Sequence, residues 1–175
     1  MPRFFFEPAG IVRKTIRVGV FTASLIAFAA TSARAQSFAG GVSFLNDSGE
    51  VAIGVTADAR SKTLFSLGSR MHIAAVVDGS FHEFEGFSVI TVQGGPRLTL
   101  QIGPRVIPYV QVTGGIEHCN VCALTNVVIE PDVGVDIPIG GQPFKLRGAI
   151  GVRTLFLNGT TLKETRLWLG VSFGK

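Results

Sequence analysis

Charge is scarce in this 175-residue chain: Asp, Glu, Lys and Arg make up 16%, against roughly 25% in ordinary soluble domains. Tyrosine and tryptophan occur once each, and cysteine twice. Two cysteines cannot build a disulfide scaffold, nor a four-cysteine metal site. Beyond residue 30 no apolar run approaches the about 20 residues that a spanning helix needs. No helical period persists over a useful window there, which excludes helical bundles and α/β folds. Glycine, by contrast, is abundant, at 22 residues, and aliphatic residues are spread evenly, which argues against disorder.

The one apolar run, Val18 to Ala30, follows Arg3, Arg13, Lys14 and Arg17 and precedes Ala33-Arg34-Ala35. A basic start, a short apolar stretch and small residues at a cut point are the layout of a secretory signal peptide. The expected division is therefore a signal peptide over 1–35 and one domain over 36–175. The leader carries five of the 16 basic residues and one of the 12 acids, so eleven of each remain. The processed chain is neutral, and the basic balance of the whole chain is no argument for a nucleic-acid partner.

Val127 to Ile139 sets the pattern for the rest. Val127, Ile129, Val133, Val135, Ile137 and Ile139 alternate with Glu130, Asp132, Gly134 and Asp136. In a strand, successive side chains point to opposite faces, so one face is apolar and the other acidic. Similar alternation runs through Ser37–Leu45, Val51–Arg60, Met71–His82, Ser88–Gln101, Val106–Glu117, Phe144–Arg153 and a closing segment around Arg166–Phe173. These are about eight strands near the 9–11 residues that a tilted strand needs to cross a bilayer. Gly103-Pro104-Arg105 and Gly140 to Pro143 read as short turns. Connections at Glu83–Gly86, His118–Thr125 and Asn158-Gly159 read as longer loops. Pro108, Pro131 and Pro138 weaken the ladder where they fall.

Alternation alone fits a soluble barrel that turns its apolar face inward as well as a membrane barrel that turns it outward. The polar face favours the second. It is crowded with small residues, among them Gly41, Gly54, Ala74, Gly134, Gly151 and Gly170, as a narrow lumen requires. Its charges have both signs: Asp58, Asp78, Glu130, Asp132 and Asp136 against Arg60, Arg97, Lys145, Arg147, Arg153 and Arg166. Charges withdrawn from water need partners. The expectation is an all-β, closed, antiparallel, eight-stranded up-and-down transmembrane barrel whose lumen is filled by paired charges and is not an open pore.

The leader ending ARAQ, the opening AGGVSF, the strands GGPRLTL and PYVQVTGG, and the closing RLWLGVSFGK resemble the small eight-stranded outer-membrane barrels, the OmpA/OmpX-like superfamily of Gram-negative bacteria. The resemblance covers residues 36–175. It implies location in the outer membrane, contact with outer-membrane lipid and with the barrel-assembly machinery, and a structural role in envelope integrity or a surface partner held by the outer loops. Two features depart from it. The chain ends Phe173-Gly174-Lys175 where such barrels end on an aromatic residue. The aromatic girdle would also fall to Phe38, Phe44, Phe81 and Phe144.

Candidate chemistry is thin. Cys119 and Cys122 flank two residues in HCNVC; with the histidine preceding the first cysteine this is no haem attachment site, and three candidate ligands are too few for zinc. A local disulfide in an oxidising compartment is the expected state. Asp78, Ser80 and His82 share a face, but steps of about 7 Å between i and i+2 are too long for a triad. No catalytic residue, metal ligand or cofactor site is assigned. The alternatives are a soluble, lipocalin-like barrel binding an apolar ligand and, behind it, an outer-membrane lipid hydrolase.

Overall fold

The structure is a computed structural model that describes residues 36–174, apart from 48, 122, 123, 141 and 158. The expected leader lies outside the described residues. The chain forms β1 (Ser37–Asp47), β2 (Glu50–Arg60), β3 (Phe65–Leu67), β4 (Met71–Glu83), β5 (Ser88–Leu100), β6 (Ile107–Cys119), β7 (Leu124–Pro138), β8 (Phe144–Leu157) and β9 (Thr160–Gly174). No helix occurs among the described residues.

Every pairing is antiparallel. The sheet runs β2-β1-β9-β8-β7-β6-β5-β4 and closes where Ile53–Arg60 of β2 pairs with Val76–Glu83 of β4. Over the height of that pairing the barrel wall has no open edge, which is the condition for a sheet to cross lipid. The wall has eight positions although there are nine strands. β3 pairs only with Met71–Ile73 at the start of β4, and so takes up below Arg60 the wall position that β2 leaves.

Proline interrupts the ladder at two places. Pairing of β7 with β8 lapses between Ile129↔Thr154 and Asp132↔Gly151, around Pro131. Pairing of β5 with β6 lapses between Gly94↔Gly114 and Arg97↔Gln111, around Pro96. A proline has no N–H to give. Pro108 and Pro138 stand at strand ends and remain in register with Val135 and Lys145.

The wall faces as the alternation requires over most of its height. Ile129, Val133 and Leu169 are 42%, 53% and 54% exposed on the outside, while Asp132 and Arg147 are buried within. The outward side chains from Val42 to Leu169 at mid-height carry no charge. Tyr109 and Trp168 are both turned into the lumen, leaving phenylalanines on the outside.

The expected length of the connections is corrected. At the end remote from the chain termini they span only residues 48–49, 84–87, 120–123 and 158–159. At the end that holds Ser37 and Gly174 they span 61–64 and 68–70 around β3, then 101–106 and 139–143. The long outer loops read around His118–Thr125 and Asn158 are strand instead: β6 and β7 pair out to Cys119↔Leu124, and β8 and β9 out to Leu157↔Thr160. The last turns of these hairpins carry polar residues on the outward side, such as Thr125, Thr161 and Lys163, so the period-2 signal fades while the hydrogen-bonded ladder continues. At the first hairpin Gly49, at φ +102°, closes the turn and donates its N–H to Asn46 Oδ1 at 3.3 Å.

Candidate functional site

Among the described residues the buried polar side chains converge in the lumen, which holds three layers. Nearest the termini, Asp58 of β2 accepts from Arg97 Nη2 of β5 and Arg147 Nη1 of β8, each at 2.6 Å. Arg147 also forks onto Asp136, with Nε at 2.5 Å and Nη2 at 2.8 Å from the two carboxylate oxygens. Arg97 Nε donates to Gln111 Oε1 at 2.6 Å, and Gln111 Nε2 donates onward to Asp132 Oδ2 at 2.6 Å. Tyr109 lies beneath both guanidinium groups, 4.3 Å from Arg97 and 5.3 Å from Arg147, and Trp168 lies 5.3 Å from Arg147. Planar cations over aromatic faces gain electrostatic attraction without needing water.

The middle layer is built on Arg153 and Arg166. Arg153 binds Glu117, lies 3.1 Å from Glu164 and 3.4 Å from Glu130, and donates to Thr91 at 2.9 Å. Arg166 Nη1 donates to Asp78 at 2.9 Å. Its Nε stands 2.7 Å from Glu130 Oε1, in a direction that makes an ion pair and not a hydrogen bond. Thr56 donates to Asp78 at 3.2 Å and Gln93 to Glu130 at 2.9 Å. Two arginines thus serve four carboxylates here.

The third layer closes the far end. Ser43 Oγ and His82 Nε2 lie 2.8 Å apart. Above them Leu45, Ala52, Phe84, Val89 and Cys119 form an apolar cluster, with Phe87 stacked on Phe84 at 4.6 Å between ring centroids. Arg97, Arg153, His82 and Leu45 are each 0% exposed, so every layer holds side chains wholly withdrawn from solvent.

Glycine sets how tightly this packs. A Cβ on Gly151 would stand 2.8 Å from Glu130 Oε1 and from Asp132 Cβ, and one on Gly134 would enter the Tyr109 ring. The small residues on the polar face are therefore the space into which the long ones fold.

Asp58, Asp78, Arg97, Glu130, Asp136, Arg147, Arg153 and Arg166 meet in the lumen as ion pairs. Asp132 is buried but takes a glutamine, not a cation. Lys145 is half-buried at the termini end with no ion-pair partner within 4 Å among the described residues, and Arg60 is half-buried at the same mouth. Two of the ion pairs, Asp58 with Arg147 and Asp78 with Arg166, reach across three of the eight strand positions, because in so narrow a tube the far wall is almost as near as the next strand. Glu117 and Glu164 carry Arg153 and were not singled out. Glu164 lies upstream of the segment read as the last strand, while Glu117 already alternated with Ile116 and was legible. Cys119 is disulfide-bonded and buried in the far-end cluster; Cys122 lies outside the described residues. Ser80 Oγ makes no hydrogen bond among the described residues, and Asp78 is committed to Arg166, so Asp78, Ser80 and His82 form no relay. No group of three or more His, Cys, Asp or Glu side chains disposed to hold a metal occurs among the described residues.

No protein-family model matches the chain, and no curated protein matches it in sequence. Solved structures do match in fold. Neisserial surface protein A (NspA) aligns at TM-score 0.58 and 11% identity, over 79% of this chain and 95% of that one. The outer membrane enzyme PagL aligns at 0.53 and 10%, over 79% and 99%. Ail, the attachment invasion locus protein of Yersinia pestis, aligns at 0.52 and 14%, over 78% and 95%. The fold is that of the small eight-stranded outer-membrane barrels.

Proposed function

We propose that this chain is a sealed outer-membrane barrel with a structural role in the envelope, exported through its leader and inserted by the barrel-assembly machinery. The observation that carries this reading is the pairing of an apolar exterior, uncharged at mid-height, with a lumen in which ten buried charged side chains meet as ion pairs. A soluble barrel for an apolar ligand needs the reverse arrangement. An adhesive role through outer loops has little to work with, because the far-end connections hold two to four residues each.

A hydrolase reading would rest on a serine–histidine contact. Ser43 Oγ and His82 Nε2 lie 2.8 Å apart, but both residues are fully buried, and His82 Nδ1 has no orienting partner among the described residues. Ser66 Oγ and His72 Nδ1 lie 3.1 Å apart on the paired strands β3 and β4 and are accessible, but no acidic side chain hydrogen-bonds His72 among the described residues. A nucleophile needs a base, an orienting group and access for the substrate.

Envelope fractionation tests the location, and gel mobility with and without heating tests the folded barrel. Release into the aqueous fraction without detergent would end the membrane reading. In planar bilayers the protein should pass no steady current; large, stable channels would end the sealed-lumen reading.

A further inference from the structure

The charges outside the lumen are sorted by end. Every acidic residue of the described chain that is not buried in the lumen stands at the far rim: Asp47, Glu50, Glu83 and Glu85, with Lys163 as the one basic residue near them. The rim at the termini end has the opposite sign. Lys62, Arg70 and Arg105 are exposed in its connections, Arg60 and Lys145 stand half-buried at its mouth, and residues 61–70, 101–106 and 139–143 contain no Asp or Glu. Ordinary surfaces intersperse the two signs.

The same connections are apolar between their charges. Leu64, Phe65, Leu67, Met71, Ile102 and Val106 are exposed there, Phe65 at 67% and Ile102 at 73%. β3 places Phe65 and Leu67 in the wall below Arg60, directly continuing the apolar exterior. Exposed apolar side chains interleaved with arginine and lysine, at the edge of a hydrocarbon-facing belt, form the composition of a membrane interface. The apolar groups enter the acyl boundary, and the long basic stems reach outward to the headgroups.

We propose that the termini-end rim is a binding surface for the phosphates of anionic glycerophospholipids, with Lys62, Arg70 and Arg105 as its principal contacts. This rests on the membrane-barrel reading. Guanidinium groups match phosphate oxygens in geometry as well as charge. Among the described residues this rim holds no exposed acid to pair with Lys62, Arg70 and Arg105, while the acidic far rim repels the same lipids. The surface would hold the termini end in a leaflet of anionic phospholipid and give the barrel a preferred sense in the membrane.

The test presents the purified protein in detergent with equal amounts of phosphatidylglycerol and phosphatidylcholine and reads the bound lipids by native mass spectrometry. Phosphatidylglycerol should be retained in preference. The Lys62→Gln/Arg70→Gln/Arg105→Gln variant should lower the ratio of the two lipids by at least about fivefold, the factor a single basic residue contributes at an anionic surface. Lys163→Gln should leave the ratio unchanged. An unaltered ratio in the triple variant overturns the proposal, as does an equal loss in Lys163→Gln. In the unsubstituted protein, raising salt to about 0.5 M should erase the preference, because exposed charges are screened within a few ångströms there; a salt-indifferent preference also overturns it. If a short DNA duplex binds the rim while phosphatidylglycerol shows no advantage over phosphatidylcholine, the rim is a general polyanion surface and the lipid assignment is wrong. Heat-shifted gel mobility of the same protein in phosphatidylcholine vesicles separates the two readings. A barrel that inserts without lipid preference loses only the rim proposal, whereas one that never inserts loses the membrane reading with it.

Discussion

Along β1, Val42 and Phe44 face outward with the hydroxyl of Ser43 between them facing in; one step further, Leu45 faces in and Asn46 out. β4 repeats the change, from Phe81 outside and His82 inside to Glu83 outside and Phe84 inside. So does β6, from Ile116 outside and Glu117 inside to His118 outside and Cys119 inside. At mid-height the wall is apolar without and polar within; at the far end it is polar without and apolar within. Val51 and Phe156, exposed and outward at the far end, remain apolar and mark the edge of the belt. The difference is a difference of solvent. On the proposed membrane reading, hydrocarbon around the middle leaves the charges no place but the lumen, whereas water around the top makes burial of Leu45 and Phe84 favourable in the ordinary way. One barrel would then contain a membrane protein's interior and, above it, a small soluble protein's core.

Breaking the polar layer should have the largest effect. Arg153 faces Glu117, Glu130 and Glu164; Arg153→Met leaves Glu117 and Glu164 buried without a cation, while Glu130 keeps Arg166. Loss of one partner of a buried pair costs about 3–5 kcal/mol. Denaturant unfolding in detergent, followed by the emission of Trp168, should show a loss of that size. A loss below about 1 kcal/mol would mean that water reaches the layer and that the lumen is not sealed.

The next contrast concerns the outer surface at the two levels. Val133→Arg puts a charge on the belt and should destabilise by about 2–4 kcal/mol, while Thr161→Arg, at the far rim, should cost about 0–1 kcal/mol. Vesicle-based unfolding of the two variants measures the difference. Equal penalties would show that the polarity change up the outer wall does not mark the membrane boundary.

The same contrast explains what was legible in the sequence. Strands such as Val127 to Ile139 stand in the belt, where one face must be apolar and the other must not, so the period of two is unbroken and the inward face can be assigned from Glu130, Asp132 and Asp136. Above the belt Thr154, Thr161 and Thr165 face outward, and the strands there look like loops; that is why Glu164 and the apolar cap escaped notice. The ion-pair partners were less legible than the ion-pair members. Alternation places Asp58 and Arg147 on one face, but only closure of the sheet brings β2 and β8 across the lumen from each other. β3 carried no signal at all, since a three-residue strand holds too little alternation to separate from its flanking turns.

The smallest effect tests how the lower polar layer is held. Tyr109 is buried, its ring lies beneath Arg97 and Arg147, and its hydroxyl has no hydrogen-bond partner among the described residues. If the ring supplies the interaction, through its face, Tyr109→Phe keeps nearly all of it and removes only an unpaired polar group. Burying such a group without a partner is unfavourable, so the substitution should change stability by less than about 0.5 kcal/mol and in the stabilising direction if at all. Tyr109→Leu removes the π face and part of the volume and should lose at least about 1–2 kcal/mol. Equal unfolding midpoints for the phenylalanine and leucine variants would show that the ring face contributes nothing. The arginines of this layer would then be held by Asp58, Asp136 and Gln111, as those of the middle layer are held by carboxylates and hydroxyls with no ring beneath them.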